Sequence, residues 1–273
     1  MSSNWNNCVC DSPTTFQLDE KKFLSEETTV KRSPIDDFYA SRTEIIREGS
    51  SANLRRSPFL GPLLLVGLVS STEYFIRRVI ADCIDLCEMS RKTASRANLK
   101  LGSALWHGGE GISKGVMEHL SLADKDTIRK QIKDLLGYDI RPNSDSSAAL
   151  IEFAKVCEFR HGIVHSSNRL PGMNAVNLGF TISGSGETPT ITIGVAELQD
   201  AASVCSTVVT SLNNELFELF AGRWAGGWVE KHDAKKFSKL WEVFYSEFDE
   251  QNGLIENSLT KIRCRNIIKR ERP

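Results

Sequence analysis

The sequence predicts a mainly α-helical protein with one β-hairpin inserted between two core helices. Three observations carry that prediction. Long stretches repeat apolar residues at helical spacing, helix-starting and helix-stopping residues sit at their ends, and a single stretch after Ala175 alternates apolar with polar residues instead.

Residues 1–33 are rich in Ser, Thr, Asn and charge with no sustained period, the pattern of a flexible lead segment. "PIDDFYASRTEIIREG" from Pro34 then reads as a helix with Ser33 as its N-cap, because proline at the first helical position has no N–H to satisfy. A long helix from about Phe59 to Glu88 follows. Leu64, Leu68, Phe75, Val79 and Leu86 lie on one stripe of it, and Pro62 falls in its first turn. "HGGEG" (107–111) reads as a turn, since it lacks both the spacing and the Lys-Ser/Thr ending of a phosphate loop. "LADKDTIRKQIKDLLGY" is an amphipathic helix stopped by Gly137. The next helix runs from about Ser146 to Ser166 or Ser167. The hairpin is expected at about 177–193, with "SGSG" as its tip, followed by helices at about 195–220 and 233–250. The tail from Lys261 holds six basic residues against Glu271 alone.

The 273 residues are 40% hydrophobic and 25% charged, with a net charge of −1. Bulk charge therefore gives no polyelectrolyte signal, and any nucleic-acid contact must come from local patches. Arg91, Lys92, Arg96 and Lys100, in a stretch with no acidic residue, form one such patch. The seven cysteines are odd in number and follow no secretory signal, which fits reduced thiols in a cytoplasmic protein. Cys83, Cys87, Cys157 and Cys205 read as buried thiols, and neither Cys83/Cys87 nor Cys8/Cys10 has the second pair of a structural zinc site. The apolar run from Phe59 is too short and too soon followed by Glu73, Arg77 and Arg78 to span a bilayer, so no membrane association is expected.

The informative stretch is "EFRHGIVHSS", Glu158 to Ser167, which holds two of the five histidines four residues apart. On a helical wheel Glu158, His161 and His165 share a sector about 60° wide, while Arg160 falls among Phe153, Cys157 and Val164. An arginine on such a face costs desolvation unless an acid or an anion meets it. Three readings are open from these residues. Arg160 pairs with an internal carboxylate such as Glu73, and the histidines cap the helix end. Alternatively His161 and His165 chelate a metal with Glu158 as the candidate third ligand, although the sequence supplies no obvious further one. In the third, histidine moves protons and arginine stabilises a phosphorane, a set that cleaves RNA through its own 2′-hydroxyl without a metal or other cofactor.

Arg160-His161-Gly162-Ile163-Val164-His165 resembles the Arg-polar-x-x-x-His motif of HEPN-domain ribonucleases. With the upstream "LVSSTEYFIRRVI" helix, it is most similar to the stand-alone HEPN proteins named after liver-type perchloric-acid-soluble ribonucleases. The resemblance covers about residues 34–222 and leaves 223–273 as a C-terminal helix and basic tail. It implies an antiparallel helical bundle and a homodimer in which two motif helices line one cleft. Arg160 would contact the scissile phosphate, His165 would transfer a proton, and His161 would orient the site, with Glu158 and Glu73 in support. The implied activity is metal-independent endoribonuclease cleavage to a 2′,3′-cyclic phosphate, in antiphage defence or a toxin–antitoxin pair. RNA, tRNA or another single strand, is the implied partner, together with a regulatory protein that relieves latency. A non-catalytic HEPN module binding RNA, nucleotide or protein is the alternative.

Overall fold

The computed structural model describes residues 17–25, 32–181, 188–227, 230–255 and 258–270. Cys8, Cys10 and the expected hairpin tip lie outside the described residues, as do the side chains of His232 and Lys269. The chain divides into two units at Lys31/Arg32. Of the first, a short 3-10 turn, Glu20–Phe23, is described, and it buries no residue. The second carries the helices.

Serine caps recur at the helix starts, where a hydroxyl satisfies an N–H the helix cannot. Ser33 accepts from Asp36 N ahead of α1 (Pro34–Glu48), and Ser50 does the same for α2 (Ser51–Arg56). α3 (Leu60–Leu86) is the central helix. Leu68, Phe75 and Val79 of the predicted stripe are buried, and Leu64 and Leu86 pack at its margin. α4 (Glu88–Ala94) leads into α5 (Leu101–Gly115), which reverses at Gly108. There φ is 59° and ψ 176°, a backbone geometry essentially confined to glycine. The two halves of α5 lie side by side, since a Cβ on Gly115 would stand 3.0 Å from that of Ser103. The glycine-rich segment is thus a turn. α6 (Lys125–Leu136) is capped by Asp124 and stopped by left-handed Gly137 (φ 64°).

α7 (Asp145–His165) starts at an N-cap Ser144 and ends at the second motif histidine. α8 (Gly172–Asn177) follows, then α9 (Val195–Ala225), α10 (Glu230–Phe244), α11 (Glu247–Gln251) and α12 (Ser258–Arg270). α3 packs against α1, α7 and α9 in a mainly helical bundle, and α10 covers α3 and α9. Phe38, Phe75, Phe153, Phe220 and Phe237 are all fully buried in one continuous core. None of the described helices is long and apolar enough to cross a membrane.

No β-hairpin is present among the described residues. The first predicted arm begins inside α8, where Asn174 and Asn177 both donate to the Glu158 carboxylate, at 2.5 and 2.9 Å. Gly179 (φ 80°) ends that helix, and Phe180 N bonds back to Ala175 O. The second arm is extended with Ile191 and Ile193 buried, as alternation predicts, but its partner is different. Leu170 N donates to Pro189 O and Ile191 N to Asn168 O, giving one isolated antiparallel bridge, Arg169 to Thr190. The segment after α7, rather than residues 178–181, supplies the edge.

Candidate functional site

The motif occupies the last two turns of α7. Phe153 and Cys157 point into the core, Arg160 is half-buried, and His161 and His165 are exposed. The two imidazoles lie one turn apart with ring centroids 4.7 Å from each other, so the structure brings the histidines together. Gly162 between them is required by its surroundings. A Cβ there would meet Ile191 Cδ1 at 2.6 Å and Arg169 O at 2.8 Å, because the chain folds straight back over it. Ser167 and Asn168 make that reversal with φ of 49° and 65°. Gly61 of α3 meets the other side of the returning segment, where a Cβ would lie 2.1 Å from Ile193 O. Two glycines thus hold the 191–193 strand between the first turn of α3 and the last turn of α7.

Arg160 is not neutralised by Glu73. The Glu73 carboxylate is buried and accepts from Arg77 at 3.1 Å, leaving its Oε1 without a donor among the described residues. The Nε of Arg160 is buried too and has no acceptor, and no described carboxylate forms an ion pair with its guanidinium. Both groups nevertheless act on one thiol. Burial, then Cys205 and Glu73, push the Cys157 thiol far above its ordinary value, while Arg160 pulls it down. A buried donor and a buried acceptor left unpaired each cost about 1–3 kcal/mol. Arg160 Nε and Glu73 Oε1 are two of six such atoms among the described residues.

Glu158, the third member of the polar seam, is held by the two asparagine amides. Its oxygens anchor α8 to α7, and among the described residues no group of three or more His, Cys, Asp or Glu is arranged to hold a metal ion. Asn174 and Asn177 were illegible as Glu158 partners in the sequence because their spacing acquires meaning only once α8 is a helix.

The basic patch is split. Arg91 and Lys92 are exposed on α4, whereas Arg96 and Lys100 line a cleft of about 750 Å³ with Lys130 and Lys133 of α6. A second cleft, about 450 Å³, lies at the start of α7 beside Arg141, Glu215 and Glu218. Arg160, His161 and His165 line neither of these two clefts; the two imidazoles are exposed to solvent, and Arg160, next to His161 in the sequence, is half-buried. His107 and His119 are engaged locally, the first with Glu118 and the second 3.3 Å from the Ser103 hydroxyl. Cys83, Cys87, Cys157 and Cys205 are free and buried.

Fold and site together define a mainly helical protein with an arginine and two histidines at the exposed end of a core helix. No family model matches the chain, and no curated protein or solved structure is detectably similar to it.

Proposed function

We propose that the protein is a HEPN-type, metal-independent endoribonuclease that attacks the scissile phosphate with the RNA's own 2′-hydroxyl and leaves a 2′,3′-cyclic phosphate. The observation that carries this reading is Arg160, half-buried with its Nε unpartnered and no ion-pair partner among the described carboxylates, on the same helix end as two exposed imidazoles 4.7 Å apart. An always-charged group in that position has its solvation loss offset when a phosphate meets it. In this reading Arg160 holds the phosphate and stabilises the extra charge of the phosphorane. His165 takes or gives the proton, and His161, one turn away, orients the phosphate. Glu73 sets the field behind Arg160, and Glu158 keeps the helix end in place through α8.

A second copy completes the site. His161 and His165 are exposed, and Ile151 and Val164 of the same helix are 47% and 46% exposed, so α7 offers a mixed apolar and polar face. Another α7 laid across it would enclose both motifs in an antiparallel bundle dimer. Free buried thiols are consistent with a cytoplasmic setting, and a nuclease of this kind suits antiphage defence or a toxin–antitoxin pair held latent by a regulatory protein.

The test is incubation of purified protein with total RNA or tRNA in excess chelator, with the product ends analysed. Arg160→Ala and His165→Ala should each lower cleavage by about 10²–10⁴-fold with the helical circular dichroism unchanged. Full activity of His165→Ala in chelator removes His165 from the mechanism. The exposed imidazole pair also suits a non-catalytic HEPN module that only binds RNA, nucleotide or protein; RNA binding without cleavage under any activating condition selects that reading.

A further inference from the structure

The cleft between the α4–α5 connection and α6 has features that its neighbours do not explain. Arg96 and Lys100 enter it from one side and Lys130 and Lys133 from the other, with Asp134 the acidic residue on its lining. Lys133 is held by Asp139 at 2.6 Å, but Arg96, Lys100 and Lys130 have no ion-pair partner among the described residues. Like charges on separate elements around one cleft repel, in a chain whose overall net charge is only −1. An anion in the cleft relieves that repulsion.

The floor has a different chemistry. Leu99, Val116, Leu120 and Leu135 line it with apolar side chains, Leu135 buried and the other three half-buried, whereas Arg96, Lys100 and Lys130 are exposed; Asn98 and Gln131 add amides able to donate and accept. A cationic rim over an apolar floor with a few directional polar groups matches a ligand with a flat base at one end and a phosphate at the other. The volume of about 750 Å³ is that of a small-molecule site. The geometry points to a nucleotide-binding site here, separate from the histidine motif: the base lies on the leucines, and the phosphate meets Arg96, Lys100 and Lys130. The nucleotide is either free or one unit of an RNA strand. The cleft is tied to the bundle behind the motif, since Arg77 donates to Leu120 O at 2.6 Å and also to Glu73.

Titration calorimetry of the full chain with AMP and with inorganic phosphate, and anisotropy with a short labelled single-stranded RNA, test the assignment. AMP should bind more tightly than phosphate, and Lys100→Gln and Lys130→Gln, both exposed positions, should each weaken it about tenfold. The AMP titration is read without RNA or cleavage, so its failure and the failure of the proposed nuclease activity are distinguishable. RNA displaced by AMP, or RNA bound where AMP is not but lost in the same lysine variants, supports the site and identifies the source. Binding of no probe, affinity unaltered in the double lysine variant, or equal affinity for AMP and phosphate overturns it.

Discussion

Gly162 sits between the two histidines and decides whether they can be where they are. A methyl group there has to displace Ile191 or the carbonyl of Arg169, and backbone cannot yield as a flexible side chain can. Gly162→Ala should therefore destabilise the fold by about 1–3 kcal/mol, the usual cost of overpacking, read as a lower urea midpoint. Because the displaced atoms belong to the turn that ends α7, the His161–His165 spacing should shift with it. Arg160→Met should have the opposite sign for stability. It removes the buried unpaired Nε without leaving a cavity, so thermal unfolding should be unchanged or later, while any phosphate-dependent activity is lost. A lower midpoint for Arg160→Met would mean that the guanidinium has a protein partner in solution. The sequence made this residue conspicuous through desolvation, and it offered Glu73 as the ordinary partner. Arg77, four residues along the same helix, takes Glu73 instead, an outcome that i,i+4 spacing allowed but did not decide.

Helix boundaries were legible where a capping side chain is local. Ser33 and Gly137 act as the sequence suggests, because a cap depends on residues within one turn, and the helix expected from about Ser146 starts at Asp145. The hairpin was not legible, and the reason lies at Glu158. Residues 177–193 carry the period of two that marks a strand, yet Asn174 and Asn177 on one helical face both reach a carboxylate sixteen or more positions back. With α8 held by that long-range clamp, Phe180 is 57% exposed, and residues 189–191 pair with Asn168 to Leu170 just after α7. Alternation predicted which residues are buried in the second arm and said nothing about the strand's partner. Glu158→Ala should cost about 1 kcal/mol, chiefly through the buried Asn174 amide, because Asn177 is exposed to water. Hydrogen exchange should rise first over 172–180 while α3 and α9 stay protected; uniform acceleration across the bundle would show that α8 is not an independent opening unit.

At the scale of the molecule, the C-terminal elements are part of the core. Asn213 of α9 donates to Phe244 O at 2.8 Å, and Arg223 bonds Ser90 and the Leu136 carbonyl while lying over the Phe220 ring. Asp36 of α1 accepts from the Ser246 hydroxyl and from two backbone N–H groups at the start of α11. The sequence predicts a helix at about 233–250 and a basic end here; packing across two hundred residues is invisible in it. Truncation after Gly226 removes Phe237, Leu240 and Phe244, all buried. At about 1.5–3 kcal/mol for each such side chain, the loss is roughly 5–9 kcal/mol, comparable with the ~5–15 kcal/mol that holds a domain folded. The truncated chain should therefore aggregate or lose its cooperative transition. Acid should act through another long-range contact. Burial works to raise the Glu215 carboxyl, but the hydroxyls around it, Tyr138's at 2.6 Å among them, outweigh burial and hold it below the usual range. A carboxylate depressed in the folded state adds stability above its unfolded value, about 4.3, and loses it as pH falls through the folded one. Glu215→Gln should flatten that part of the acid limb. An identical loss of stability between pH 5 and pH 3 in both proteins would place the acid sensitivity elsewhere.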